Sequence, residues 1–219
     1  MHTHTHTHEA PAQTEGSLIR WAPYYDALVN VLMLGQVRRG RALTVDQALL
    51  KPGENVLDVG CGTGGVTIPA KIRVGEKGSV AGIDPAPEMV AVARRKASRA
   101  GLEIDFRVGV IEALPFPDKT FDAVTSSAMM HHLPEHLRVK GLAEVWRVLK
   151  PGGRLLIADI MRPTSSLARF FTSLALHPGL QFGVEDLPKL LKEAGFEEIK
   201  KLEARLLIFG FVRATKPAA

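Results

Sequence analysis

A ten-residue run, Val56-Leu57-Asp58-Val59-Gly60-Cys61-Gly62-Thr63-Gly64-Gly65, constrains the fold more than any other part of the chain. It is a short apolar strand entering a glycine-rich turn, with a carboxylate just before the turn. A second apolar run, Ser79-Val80-Ala81-Gly82-Ile83-Asp84, ends on another carboxylate about twenty residues later. Without Cβ atoms, Gly60, Gly62 and Gly64 can take backbone angles closed to other residues and let a ligand lie against the main chain. A carboxylate at the second strand end sits where it can accept both hydroxyls of a ribose. The two runs together describe a nucleotide-type pocket at the first strand–helix turn of an α/β sheet.

The rest of the chain alternates in the same way. Strands are expected near 55–59, 79–83, 104–108, 121–126 and 154–160, and helices near 65–74, 86–100 and 135–149. That alternation implies a parallel sheet with helices on both faces. Two helices are expected before it, over 17–34 and 38–50, with Lys51-Pro52-Gly53 as the break. A helix over 186–194, capped by Gly195, and two strands near 197–204 and 206–214 are expected to finish the chain.

The glycines alone leave the ligand open. Gly60, Gly62 and Gly65 also fit the G-x-G-x-x-G pattern of dinucleotide sites. Asp58 discriminates: negative charge beside the turn would repel a pyrophosphate and suits a cationic amino-acid end. A cofactor with adenosine at one end and a charged amino acid at the other is S-adenosyl-L-methionine (SAM).

Five segments then resemble, in order and spacing, the motifs of class I SAM-dependent methyltransferases. Asp58-Val59-Gly60-Cys61-Gly62-Thr63-Gly64 resembles their first motif, and Gly82-Ile83-Asp84 their acidic second-strand motif. Glu112-Ala113-Leu114-Pro115-Phe116-Pro117-Asp118 with Phe121-Asp122-Ala123-Val124 resembles the third-strand loop and fourth strand. Met130-His131-His132-Leu133-Pro134 resembles the segment after it, and Leu149-Lys150-Pro151-Gly152-Gly153-Arg154-Leu155 the turn into the fifth strand. The resemblance covers roughly residues 50–160. Within the family it leans toward the branch of quinone-biosynthesis C-methyltransferases and bacterial phospholipid N-methyltransferases.

The resemblance implies a Rossmann-like seven-stranded sheet, six strands parallel and the last antiparallel, with an N-terminal helical cap. It implies SAM as cofactor, S-adenosyl-L-homocysteine as product, and no metal. Around the cofactor it places Tyr25, Asp58, Gly60, Cys61, Gly62, Gly64, Asp84, Pro85, Met89, Val110, Ile111, Glu112 and Ser126. Asp58 and the turn approach the methionine end, and Asp84 takes the ribose hydroxyls. Asp58 could instead only brace the turn, and Asp84 only cap the next helix. The chain departs from the family at the adenine site, where Val110 stands in place of the usual aspartate. Adenine would then be held by backbone near Ile111 and by the walls at Pro85 and Ala86. Glu112 could reach it, or be a solvated loop carboxylate.

His131 and His132 follow the fourth strand, where such sheets open toward the ligand. An imidazole there could act as general base or orient a substrate, and His131 is the first candidate. The alternative is a helix cap and a packing residue. Tyr24, the other catalytic candidate, and Tyr25 lie on the first helix, where a tyrosine of this branch folds over the cofactor; core packing is the alternative. Cys61 reads as a small buried spacer. No Ser–His–Asp order, G-x-S-x-G turn or Cys/His metal spacing stands outside the first eight residues.

Those eight residues, Met1-His2-Thr3-His4-Thr5-His6-Thr7-His8, read as an affinity tag and 9–16 as a flexible leader. One domain is expected over 17–219, with 17–50 as cap, 51–160 as SAM-binding core and 162–183 as acceptor-side insert. One cysteine excludes an internal disulfide. The apolar runs fall short of a bilayer span, so the expected location is cytoplasmic. Net charge is +5, with clusters at Arg38-Arg39-Gly40-Arg41 and Arg94-Arg95-Lys96. These read as solvated faces or as attraction to an anionic surface. With 6% aromatic residues and no basic stripe interleaved with aromatics, nucleic acid is not an expected partner. Peripheral membrane contact through 28–41 is admitted, as is either a monomer or a homodimer. The expected acceptor is small and largely apolar, methylated on C, N or O by in-line displacement. The rivals are a membrane-associated phospholipid N-methyltransferase, an NAD-dependent oxidoreductase and a SAM-binding non-catalytic subunit.

Overall fold

The computed structural model describes residues 14–15, 22–162 and 182–218. Two helices, α1 (Ala22–Leu32) and α2 (Val37–Gln47), precede the sheet. The sheet strands are β1 (Asn55–Val59), β2 (Ser79–Asp84), β3 (Asp105–Val108), β4 (Phe121–Ser127), β5 (Leu149–Ile160), β6 (Glu197–Leu206) and β7 (Phe209–Thr215). Between them lie α3 (Thr67–Val74), α4 (Pro87–Arg99), α5 (Glu135–Val148) and α6 (Leu187–Glu193). The seven strands are ordered β3-β2-β1-β4-β5-β7-β6. β1 to β5 pair in parallel, and β7 runs antiparallel to both β5 and β6, so the expected arrangement of one reversed strand among seven is present.

The period-two pattern of β1 explains the layers. Leu57 and Val59 face one core with Leu142, Val145 and Leu187, residues of α5 and α6. Val56 faces the other with Val45, Ala70 and Val74, residues of α2 and α3. Burial on both faces is why the strand reads as a nearly continuous apolar run. α4 starts with Pro87 in its first turn, carries Glu88 there, and ends with Lys96 and Arg99. That charge order suits the helix dipole.

β5 begins earlier than the expected residue 154. Leu149 already pairs with Phe121, and the register then shifts before Ala123 meets Arg154. Gly152, at φ +73°, lets the chain kink between the two pairings. The acceptor-side insert expected over 162–183 falls almost wholly outside the described residues.

Strand order places the site. From β1 the chain winds outward through β2 and β3, then returns to β4 beside β1 and winds the other way. The carboxyl ends of β1 and β4 therefore flank a crevice, the position where open α/β sheets take ligands.

Candidate active site

The glycine turn forms one lip of the crevice. Gly60 and Cys61 both donate their backbone N–H to the Ile83 carbonyl, each at 2.9 Å, which ties the turn to β2. Gly60 has φ +73° and a side chain there would meet Met129 Cγ at 2.6 Å. Gly62 has φ +51° and nothing within 4 Å of where a Cβ would stand, so its backbone borders open space.

Asp84 closes the same lip. Its Oδ2 accepts the Gly62 N–H and its Oδ1 accepts the Ala86 N–H, both at 2.9 Å. The carboxylate thus pins the turn and the start of α4, and each oxygen keeps a further acceptor site. Burial pushes its pKa above the ordinary carboxylate value, against those two hydrogen bonds.

Two cavities open from the crevice. The first is walled by Tyr25, Gly60, Gly62, Asp84, Pro85, Met89, Val110, Ile111 and Glu112, all expected from the sequence, and also by Thr14, Ser127 and His132. The second is walled by Asp58, Cys61 and Thr63 on its polar side and by Val29, Met33, Val37, Leu206, Phe209 and Phe211 on its apolar side. Tyr25, Gly60, Gly62, Ser127 and Ala128 border both, so the two cavities adjoin. Burial pushes the Tyr25 phenol up, which keeps it protonated at neutral pH.

Asp58 is buried beneath the turn. Its Oδ2 accepts the Thr67 hydroxyl at 2.6 Å and its Oδ1 accepts the Thr125 hydroxyl at 2.8 Å. Loss of solvent pushes its pKa up to about 6, outweighing the two hydroxyls; the nearby Asp84 adds to the rise. Cys61 is buried beside it, and burial holds its thiol well above the ordinary range. A thiol so held is no nucleophile.

Three of the expected positions stand differently. Gly64 borders neither cavity, because it faces α4, where a Cβ would meet Ala93 Cβ at 3.3 Å. Ser126 is buried at 3% exposure with its hydroxyl unpartnered, and Ser127 takes the place at the wall. Consecutive strand residues point to opposite faces, so the expectation was one residue out of phase. His131 borders neither cavity either. Its Nδ1 lies 2.5 Å from Asp159 Oδ1, and its backbone N–H donates to Asp159 Oδ2 at 3.3 Å. Its ring lies against that of His132, which does reach the first cavity, with centroids 4.0 Å apart and the planes tilted by 42°. The candidate imidazole is therefore His132, with His131 behind it. Tyr24 lies on α1, and its side chain falls outside the described residues.

Sequence reasoning missed Asp26. It accepts from Arg41 Nη2 at 2.7 Å, from the Thr63 hydroxyl at 3.0 Å and from Lys96 Nζ. One carboxylate thus joins α1, α2, α4 and the glycine turn. Burial pushes its pKa up, but the hydrogen bonds from Lys96, Arg41 and Thr63 prevail and hold it below the ordinary value. Arg41 and Lys96, read from sequence as members of basic clusters, are internal partners here. Arg38 and Arg39 remain exposed.

Residues 56–153 match the family described as a methyltransferase domain. The chain is 38% identical over 169 residues to the 2-phytyl-1,4-naphtoquinone methyltransferase of Synechococcus elongatus, covering 76% of this chain and 72% of that protein. The chain belongs to the class I SAM-dependent methyltransferases. It is also 42% identical over 142 residues to the demethylmenaquinone methyltransferase of Thermus thermophilus, over 65% of this chain and 63% of that one. The chain spans about six tenths of the length of three such demethylmenaquinone enzymes. Among solved structures, a SAM-dependent methyltransferase from Aquifex aeolicus superposes with a TM-score of 0.65 at 28% identity, covering 80% of this chain and 88% of that one.

The residues present fit the cofactor of this methyltransferase family. Asp84 has acceptor capacity left on both oxygens, Gly62 leaves open space above its backbone, and the first cavity holds an orphaned buried carboxylate oxygen on Glu112. None of the described helices is long and apolar enough to cross a membrane.

Proposed function

We propose that this methyltransferase transfers the methyl group of SAM to a small, largely apolar acceptor of the quinol type. The observation that carries this is the second cavity, which adjoins the cofactor cavity and is walled by Val29, Met33, Val37, Leu206, Phe209 and Phe211. The names of the relatives, which act on demethylmenaquinone and phytyl-naphthoquinone, agree with an apolar ring and tail in such a space. A phosphate-bearing acceptor would call for cations in that wall. Its single described cation, Arg41, is already paired with Asp26.

In this reading Asp84 accepts the ribose hydroxyls in the first cavity, and the amino-acid end passes the Gly60–Gly62 backbone, which borders both cavities, to reach the polar side of the second at Asp58. Pro85, Met89 and Ile111 wall the base, and Tyr25 stands at the boundary between cofactor and acceptor. Bound SAM supplies an electrophilic methyl group on a sulfonium. The chain's task is to hold the acceptor in line with it and to keep water out. A carbon acceptor must also lose a proton. We assign its removal to the His132 imidazole, which lies on the wall of the adjoining first cavity, and Asp159 holds His131 in a fixed orientation against that ring.

A second observation bears on how such an acceptor arrives. Val31 and Leu34 are 70% and 75% exposed, and Leu207 and Ile208 at the β6–β7 turn are exposed as well. Leu34, Leu207 and Ile208 are sequence neighbours of Met33, Leu206 and Phe209 of the cavity wall, and Arg38 and Arg39 are exposed nearby in sequence. An apolar rim with basic neighbours suits contact with an anionic bilayer. Failure to sediment with anionic vesicles would remove that contact.

The test of function is transfer of labelled methyl from SAM into separated acceptor pools. Label in a reduced prenyl-naphthoquinone supports the proposal. Label confined to phospholipid or to polar metabolites overturns it.

A further inference from the structure

We infer that Glu112, held by Thr14 of the N-terminal leader, selects the base of the cofactor by accepting the adenine amino group. The inference rests on the SAM reading above and concerns a residue whose role nothing in that reading fixes. Glu112 lies in the turn Ile111–Ala113 that follows β3. It is 9% exposed, so it is not a solvated loop carboxylate. Its Oε1 accepts the Thr14 hydroxyl at 2.8 Å, while its Oε2 is buried with no partner.

A buried carboxylate oxygen without a donor is unfavourable and calls for an explanation. Here the surroundings supply one. Glu112 borders the cofactor cavity together with Pro85, Met89, Val110 and Ile111, which are apolar. A slot with apolar walls and one charged acceptor fits a flat, neutral ring carrying an N–H donor on its edge. Among cofactor parts at this crevice, that is adenine with its exocyclic amine. The Val110 side chain has no acceptor, and Glu112 is the carboxylate this turn carries.

The turn itself is fixed, which makes Glu112 a usable reader. Ile111 packs against α5 at Gly141, where a Cβ would stand 2.8 Å from its side chain. The Leu114 N–H donates to Glu144 Oε2 at 2.9 Å just downstream. Thr14 completes the arrangement by donating to Oε1, which leaves Oε2 as the oxygen without a donor. Thr14 also borders the cavity, and the next residue, Glu15, lies 3.2 Å from His136 Nε2 on α5. Thr14 thereby stands at the base end of the cavity and acts as a positioning residue.

The test is calorimetric binding of S-adenosylhomocysteine and of its inosine counterpart, in which a carbonyl replaces the amine, to the full chain. The wild type should prefer the adenine compound by about tenfold or more, the scale of one hydrogen bond to a charged group. Glu112→Gln keeps the shape but can turn an N–H toward the carbonyl, so the preference should collapse or invert. Thr14→Val should weaken the adenine compound by a few-fold and narrow the preference, with less effect on the inosine compound. Equal binding of both compounds by the wild type overturns the inference, whatever the variants do. So does an unchanged preference in Glu112→Gln. If the wild type binds neither compound, it is the SAM reading that has failed.

Discussion

Asp58 gives the sharpest quantitative prediction. It is fully enclosed, with only the Thr67 and Thr125 hydroxyls to replace water, and its pKa is pushed from 3.8 to about 6. A group whose folded pKa is raised stabilises the fold fully below its unfolded value, and that contribution is lost as pH rises through the folded one. A rise of this size corresponds to about 3 kcal/mol between the two limits. Between pH 5 and pH 8 the ionising group should cost about 1.4 kcal/mol. Asp58→Asn removes the titration and keeps the shape, and rotated threonine hydroxyls can still pair with the amide. The stability difference between variant and wild type, from urea unfolding of the ligand-free proteins, should therefore move in the variant's favour by about 1.4 kcal/mol from pH 5 to pH 8. Taking the difference cancels the titrating groups that do not feel the Asp58 charge. The same variant should bind S-adenosylhomocysteine more weakly, because the carboxylate beside the ammonium end is gone. A difference that stays flat with pH would refute the argument that Asp58 is held ionised at a cost.

Three further outcomes follow from the site. Asp84→Ala removes an acceptor that pins Gly62 and Ala86 and faces the ribose; cofactor affinity by calorimetry should fall about tenfold to a hundredfold. Asp26→Asn weakens the tie between the helical cap and the glycine turn. Since its side chain is about a third exposed, about 1–2 kcal/mol is expected from chemical denaturation. Its carboxyl is held low, so the wild type's advantage is complete above the ordinary value and disappears as pH falls through the lower folded one. His132→Gln should lower kcat by about a hundredfold with a carbon acceptor while changing cofactor affinity little.

The parts of this site that were legible in the sequence are those where chemistry and spacing coincide within one segment. The strand–glycine-turn–strand unit ending at Asp84 was readable because its glycines suit positive φ at Gly60 and Gly62, and at Gly60 a side chain would also meet Met129. The parallel pairing of β1 to β5 followed from strand–helix alternation. What escaped was phase and long-range pairing. Ser126 and Ser127 differ only by which face of β4 each meets, and the strand end carries no pattern to decide it. His131 and His132 share the tight turn Met130–His132, where adjacent residues diverge by about a third of a turn, one to Asp159 and one to the cavity. Asp26 gathers partners 15, 37 and 70 residues away, and no local signal announces such a hub. Arg41 and Lys96 were read as surface charge for the same reason.

The measurement that tests the account most directly is mass spectrometry of a reduced short-chain prenyl-naphthoquinone after incubation with the full protein and SAM. The account predicts a product heavier by one methylene unit, formed together with S-adenosylhomocysteine and lost with Asp84→Ala. Binding of S-adenosylhomocysteine with no methylated quinol under any reducing condition would contradict the assignment of the apolar cavity as the acceptor site.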